Sequence, residues 1–273
     1  MIVSRLLALL VLAAFALVGR AETYDLLVVP QFQATEIHRD WQPLVDRIRA
    51  LSGVSLKLRH VRSIPEFETE FQHGTPDFVF MNPYHAVMAR QAQGYVPLVR
   101  DGGRLTGVLV VKKDGPVKSL AALSGKELAF PAPNAFGASL YMRALLQEEK
   151  GLQITPRYVK THTNVFRAVL LGEVPAGGAV NNTLAQEAAA IRDRLQVLYE
   201  TPAVAPHPFA AHPRVPEAVR KAVAEAILKL AAIPDGKALL AACQMADPVA
   251  ADYNRDYLPL ERLNLNRYVV RSD

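Results

Sequence analysis

The chain has 273 residues and a single cysteine, Cys243. No intrachain disulfide can form, so the fold must rest on core packing, which a chain of this size can supply. Cys243 follows Leu239-Leu240-Ala241-Ala242 on what reads as the apolar face of a helix, the setting of a buried, inert thiol. Several catalytic signatures are missing as well. There is no P-loop, no strand-linked G-x-G-x-x-G and no G-x-S-x-G elbow, so an enzyme reading has no motif behind it and no cofactor is expected. His85, His162 and His207 lack a zinc-like spacing or a carboxylate at ligand distance in sequence, so no metal is expected either. Charged residues are only 21% and hydrophobic residues 51%, which excludes a disordered chain. Excess charge is scarce: the formal value is +5, and Arg5 and Arg20 supply two of those charges within the first 21 residues. With no clustered basic face and no readable motif, nucleic acid is not an expected partner.

What is present begins with that N-terminus. Arg5 precedes an unbroken apolar run, residues 6–18, and Gly19 and Ala21 place small residues before Glu22. This is the order of a secretory signal, with cleavage expected after Ala21. As a helix the run would reach about 20 Å, short of the roughly 30 Å hydrocarbon core of a bilayer. No cysteine sits at the cleavage point to carry a lipid. The mature chain is expected to be a soluble, exported protein, with the periplasm as its compartment.

From residue 24 onward, short β-like runs alternate with helix-like stretches. Strands are predicted at 24–29, 54–61, 77–81, 107–112, 127–130, 157–160, 176–180, 195–199 and 209–211. Helices are predicted at 37–51, 63–71, 83–93, 135–149, 163–171, 182–191, 216–231 and 235–243, many closed by Gly. Pro43 fits its helix only in the first turn or at a kink. Alternating elements imply an α/β fold with mainly parallel sheets and helices on both faces. Residues 98–106 and 201–213 read as crossings between lobes, the second carrying prolines at 202, 206, 208 and 213. The expected organisation is a signal peptide at 1–21, a first lobe of 22–103 plus 206–273, and a second lobe of 104–205. The segment 253–270 has no clear element.

Four strand-to-helix turns share one pattern: Asn82-Pro83-Tyr84-His85, Pro133-Asn134-Ala135-Phe136-Gly137, Thr161-His162-Thr163-Asn164 and Gly178-Ala179-Val180-Asn181-Asn182-Thr183. A helix start offers unpaired backbone N–H groups and about half a positive charge. Asn and Thr are also ordinary N-caps, so one such turn says little. Several at equivalent ends of parallel strands would make an anion site without a metal.

The segments 78–86, 129–139, 162–169 with 172–178, and 206–213, in that order and spacing, resemble the periplasmic solute-binding proteins of phosphate/phosphite/phosphonate-type ABC transporters. The resemblance spans nearly the whole mature chain. It implies a two-lobed, type II periplasmic-binding-protein fold that closes on a small anionic ligand by hinge motion. It also implies an ABC permease as partner and a monomer as working form. By the same resemblance Tyr84 and His162 fall at cleft positions, and Asn181 falls near a place where the family often has Asp. Where phosphonate binders carry a run of hydroxyls, this chain reads Asn134-Ala135-Phe136-Gly137, with Ser139 further along. Such a site must lean on backbone donors or take a ligand with an apolar part. The expected ligand-binding residues are Tyr84, Asn134, Ser139, His162, Thr163 and Asn181, with Phe32, Gln33 and Phe136 as walls. The alternative is a ligand-sensing module that delivers its closed form to a membrane histidine kinase, which needs the same cleft. An exported enzyme on the same fold ranks behind both.

Overall fold

The computed structural model describes residues 22–270, so the signal segment and its cleavage point lie outside the described residues. The chain runs β1 (Thr23–Val28), α1 (Ala34–Ser52), β2 (Ser55–Arg59), α2 (Ile64–Gln72), β3 (Phe78–Phe80), α3 (Pro83–Gln93) and β4 (Val96–Asp101). It then builds β5 (Gly107–Lys112), β6 (Glu127–Phe130), α4 (Tyr141–Glu148), β7 (Thr155–Tyr158), α5 (His162–Leu171), β8 (Ala176–Val180), α6 (Asn181–Gln186), α7 (Ala189–Arg192) and β9 (Leu195–Glu200). It returns through β10 (Pro208–Ala211), α8 (Glu217–Leu230), α9 (Pro234–Ala242), β11 (Pro248–Ala250) and α10 (Tyr253–Asp256), and ends in two short 3-10 turns.

Two sheets result, one per lobe. The first has the order β11-β4-β10-β3-β1-β2 and the second β7-β6-β8-β5-β9. Both are mixed. In the first, β1 is parallel to β2 and β3, whereas β10 runs against β3 and β4, and β11 runs against β4. In the second, β6 is parallel to β7 and β8, whereas β5 runs against β8 and β9. The antiparallel strands have a simple cause. A chain that arrives from the other lobe enters its sheet from the opposite end, without the crossover helix that keeps βαβ strands parallel. The two crossings lie side by side as an isolated antiparallel bridge, Leu105 with Val204.

Local chemistry explains the helix bounds. In α1, Ile37, Trp41, Leu44, Val45 and Ile48 form the buried stripe, and Gly53 ends it in the left-handed conformation at φ 72°. Pro43 lies well inside α1, not in its first turn. Ser63 caps α2 by accepting from the Glu66 amide, and Asn82 caps α3 by accepting from the His85 amide. These side chains satisfy donors that a helix start leaves open. The predicted helix at 135–149 is a π turn over Phe136–Leu140 followed by α4. The predicted helix at 182–191 is broken into α6 and α7. Two strands have no counterpart among those the sequence predicts, β4 and β11, and both stand at the antiparallel end of the first sheet.

The largest apolar cluster joins first-lobe residues such as Leu27, Phe78 and Trp41 to second-lobe residues Phe136, Leu140 and Tyr141. The second lobe adds two smaller clusters, one around Val110, Val165 and Phe166, the other around Leu109, Phe130 and Met142. Neighbouring residues of β5 fall in different clusters, as the period of two requires for a sheet buried on both faces. Cys243 is buried, donates to the Asp40 carbonyl at 3.2 Å, and has its thiol pKa pushed well up by burial. No helix among the described residues is long and apolar enough to cross a membrane.

Candidate functional site between the lobes

The starts of α3, the π turn, α5 and α6 converge where the two sheets face each other. They enclose a cavity of about 10 Å3, lined by Gln31, Asn82, Phe136, His162, Val180 and His207 among others. That volume suits about one water molecule. The lobes therefore meet closely in this conformation. The His162 amide donates to the Gln31 carbonyl at 3.2 Å, and Asn82 Nδ2 donates to the Asn134 carbonyl at 3.2 Å.

The second lobe contributes mainly backbone. Ala135 opens the π turn in an extended conformation with no side-chain cap. The Ser139 and Leu140 amides both donate to the Ala135 carbonyl. The amides of Phe136, Gly137 and Ala138 donate to no acceptor among the described residues. Three consecutive open N–H groups at a helix start are a ready anion cradle. Glycines in the strands beneath let this turn approach. A Cβ on Gly107 would stand 2.0 Å from the Gly137 carbonyl oxygen, and one on Gly178 would stand 2.0 Å from that of Ala138. Behind the turn lies the buried guanidinium of Arg143, whose Nη2 donates to the Pro133 carbonyl at 2.9 Å and whose Nε donates to Ser139 Oγ at 3.2 Å. Burial works against that charge and lowers its pKa.

The cavity wall itself is neutral. Burial lowers the His162 pKa to about 3. Burial, then the neighbouring His162 and His85, lowers that of His207 to about 3 as well. His207 stacks on Phe80 with centroids 5.5 Å apart, and its buried Nδ1 has no partner among the described residues. Desolvation disfavours the charged imidazolium, so both rings are uncharged at neutral pH.

The expected site residues are distributed around this centre. Phe136 and His162 line the cavity. Tyr84 stacks on Phe136 at 6.0 Å and 7°, and Phe136 on Tyr141 at 5.5 Å and 8°, so three rings pile up across the lobe boundary. The Asn134 side chain is fully engaged: Nδ2 donates to Glu68 Oε2 and to the Val270 carbonyl, and Oδ1 accepts from the Val270 amide. Ser139 is buried against Arg143 behind the turn, away from the cavity lining. Thr163 donates to Glu187 and, with Phe32, lines a separate groove of about 450 Å3. Asn181 ties down the crossing, accepting from the Thr106 amide and donating to the Arg104 carbonyl. Gln33 is exposed at the N-cap of α1 without a capping bond. Gln31 and Asn82 also line the cavity, although neither is among the residues expected from the sequence. Gln31 lies in the turn after β1 as Asn82 lies in the turn after β3, so the strand-to-helix pattern that marks the other turns also points to it. His85 is held by Glu68 Oε1 at 2.8 Å, and no group of metal-binding side chains forms among the described residues.

The C-terminal segment closes one side. Tyr84 Oη donates to Asn266 Oδ1 in the first lobe, while Arg143 donates to the Tyr268 carbonyl and Arg267 pairs with Glu148 in the second.

The family described as "ABC transporter, phosphonate, periplasmic substrate-binding protein" matches residues 26–257. The chain belongs to this family. No curated protein matches it in sequence. Among solved structures, a binding protein component of an ABC phosphonate transporter from Pseudomonas aeruginosa has a TM-score of 0.79 at 14% identity, covering 91% of this chain and 88% of the other. PhnD1 from Prochlorococcus marinus, solved with methylphosphonate, has a TM-score of 0.80 at 16% identity, covering 91% and 98%. A Xanthomonas citri protein solved with ATP has a TM-score of 0.65 at 18% identity, covering 90% and 95%. At these identities the neighbours establish a two-lobed periplasmic-binding-protein fold. As a member of the phosphonate-binding family, the chain is a periplasmic substrate-binding component of an ABC transporter. The kinase-feeding alternative gains no support from these likenesses.

Proposed function

We propose that this protein captures a small phosphonate-class oxyanion between its lobes and presents the closed form, as a monomer, to an ABC permease. The observation that carries the reading is the row of three open amides, Phe136 to Ala138, on residues that line a water-sized cavity at the lobe seam. Backbone dipoles fixed by the fold stabilise an anion without rearranging on binding. His162, Asn82, Gln31 and His207 supply the remaining polar contacts, and the Tyr84–Phe136 pair forms an apolar wall. The hydroxyl run of the phosphonate binders is replaced here by backbone. The cavity must widen to admit even methylphosphonate, and the paired crossings at Leu105 and Val204 provide the hinge. Leader removal after Ala21 and the lobe limits at 103/104 and 205/206 complete the proposal.

The test is the melting temperature of the purified protein against methylphosphonate, aminoethylphosphonate, phosphite and phosphate. Ligand at 100 times Kd adds about 2.7 kcal/mol of stability. A flat melting temperature across the panel at millimolar concentration retires the oxyanion reading.

A further inference from the structure

His162 differs from its neighbours in having its tautomer fixed. Thr183 Oγ1 lies 3.0 Å from His162 Nδ1 and donates its one hydrogen to the Val180 carbonyl at 2.9 Å. A hydroxyl with its hydrogen committed can only accept, so Nδ1 must carry the imidazole proton. The ring is neutral, and Nε2 is therefore a lone pair. The ring lines the cavity, and Nε2 has no protein partner among the described residues. Thr183 is fully buried, so water does not compete for the arrangement. His207, by contrast, has no bond that fixes its tautomer, so it can serve as donor or acceptor.

The lock and the amide cradle sit in the same lobe. His162 opens α5, Thr183 lies in α6, and Val180 ends β8, beside the π turn that holds Phe136, Gly137 and Ala138. Lobe opening leaves all of them together. A ligand docked on the second lobe meets several donors and one obligatory acceptor. A phosphonate dianion or a sulfonate has only acceptors to offer and would set an oxygen lone pair against that of Nε2. A monoprotonated phosphonate offers one P–O–H, which satisfies it.

Resting on the proposed oxyanion site, we infer that the protein selects the proton-bearing monoanion of its ligand, with His162 Nε2 accepting the ligand's hydrogen bond and Thr183 as the positioning residue that holds the tautomer. Titration of the two cavity rings, His162 and His207, does not mimic the effect above pH 6. The ionisable groups on the elements facing His162 are His207 ahead of β10, His85 paired with Glu68 from α3 and α2, and Glu187 held by Thr163 beyond α6. Arg167 stands on α5 itself. His162 and His207 both remain neutral through that range.

Calorimetric titration with methylphosphonate and its isostere methanesulfonate from pH 6 to 9 decides the matter. The expected methylphosphonate Kd is flat below the ligand's second ionisation and rises tenfold per pH unit above it. Methanesulfonate, which carries no proton in this range, binds at least 100-fold more weakly. Thr183→Val keeps the side-chain shape and frees the tautomer, and it should flatten the pH profile and shrink the sulfonate gap at least tenfold. Methylphosphonate binding that is constant to pH 9, or methanesulfonate within threefold of it, overturns the inference and leaves the oxyanion site standing. An unchanged profile in Thr183→Val removes Thr183 from the mechanism. Binding of neither ligand at any pH refutes the site and this inference together.

Discussion

The two lobes build their halves of the site from different materials. The first presents side chains, Gln31, Asn82 and His207, from strand ends that rest on one large apolar cluster. The second presents a backbone turn laid directly on glycines of β5 and β8, with its own apolar residues divided between the two faces of the sheet. Side chains can be supported by packing alone. A backbone cradle needs the carbonyls of the turn to touch the strand below, which only glycine permits. The lesson is that the glycines of the second lobe are part of the site although no ligand would touch them.

The largest expected effect tests the shared core. Phe78→Ala removes a fully buried ring and should cost about 3–5 kcal/mol in urea unfolding, within a single cooperative transition. Two resolved transitions would show that the lobes unfold separately and would undo the idea of one core crossing the seam. Next comes the cradle. Gly178→Ala should cost about 1–3 kcal/mol by overpacking and should also weaken methylphosphonate binding, because the carbonyl of Ala138 has to move. A variant of full stability and full affinity would mean that the turn does not depend on its strand.

A third test uses one buried histidine from each half of the site. Both His162 and His207 hold native pKa values near 3, below the ordinary 6.5. Between those values the unfolded chain binds protons that the native one does not. Stability is therefore fully present above about pH 6.5 and falls as the pH drops towards 3, by up to about 1.4 kcal/mol per pH unit for each ring. His207→Leu should remove about half of that slope in denaturation midpoints measured from pH 7 to 4. A slope that does not change would mean that His207 is not buried uncharged. The smallest effect is at the rim. The Arg267–Glu148 pair is largely exposed, so Arg267→Ala should shift stability by about 0.5 kcal/mol or less, and less still in high salt.

Much of the fold was legible because punctuation and periodicity agreed. Gly53, Gly94 and Gly172 end helices in the left-handed region, as their positions after apolar stripes suggested. β4 was hidden because Val96–Asp101 contains Pro97 and runs straight into Gly102-Gly103, which together imitate a linker. β11 is only three residues long, and its strand character comes from pairing with β4 rather than from any pattern of its own. At the site, the turns could be read but not the commitments of their side chains. Asn134 and Asn181 look alike in sequence. One binds the chain 136 residues downstream and the other pins the crossing, and such long-range partners leave no local mark.

The terminal segment Leu265–Val270 bridges the two lobes. It touches Tyr84 on one hemisphere and Asn134, Arg143 and Glu148 on the other, so it must slide or peel whenever the jaws part. A reporter dye placed on this end would sense opening directly, whereas a bulky purification handle fused there would load the same joint and distort the affinity it was meant to help measure.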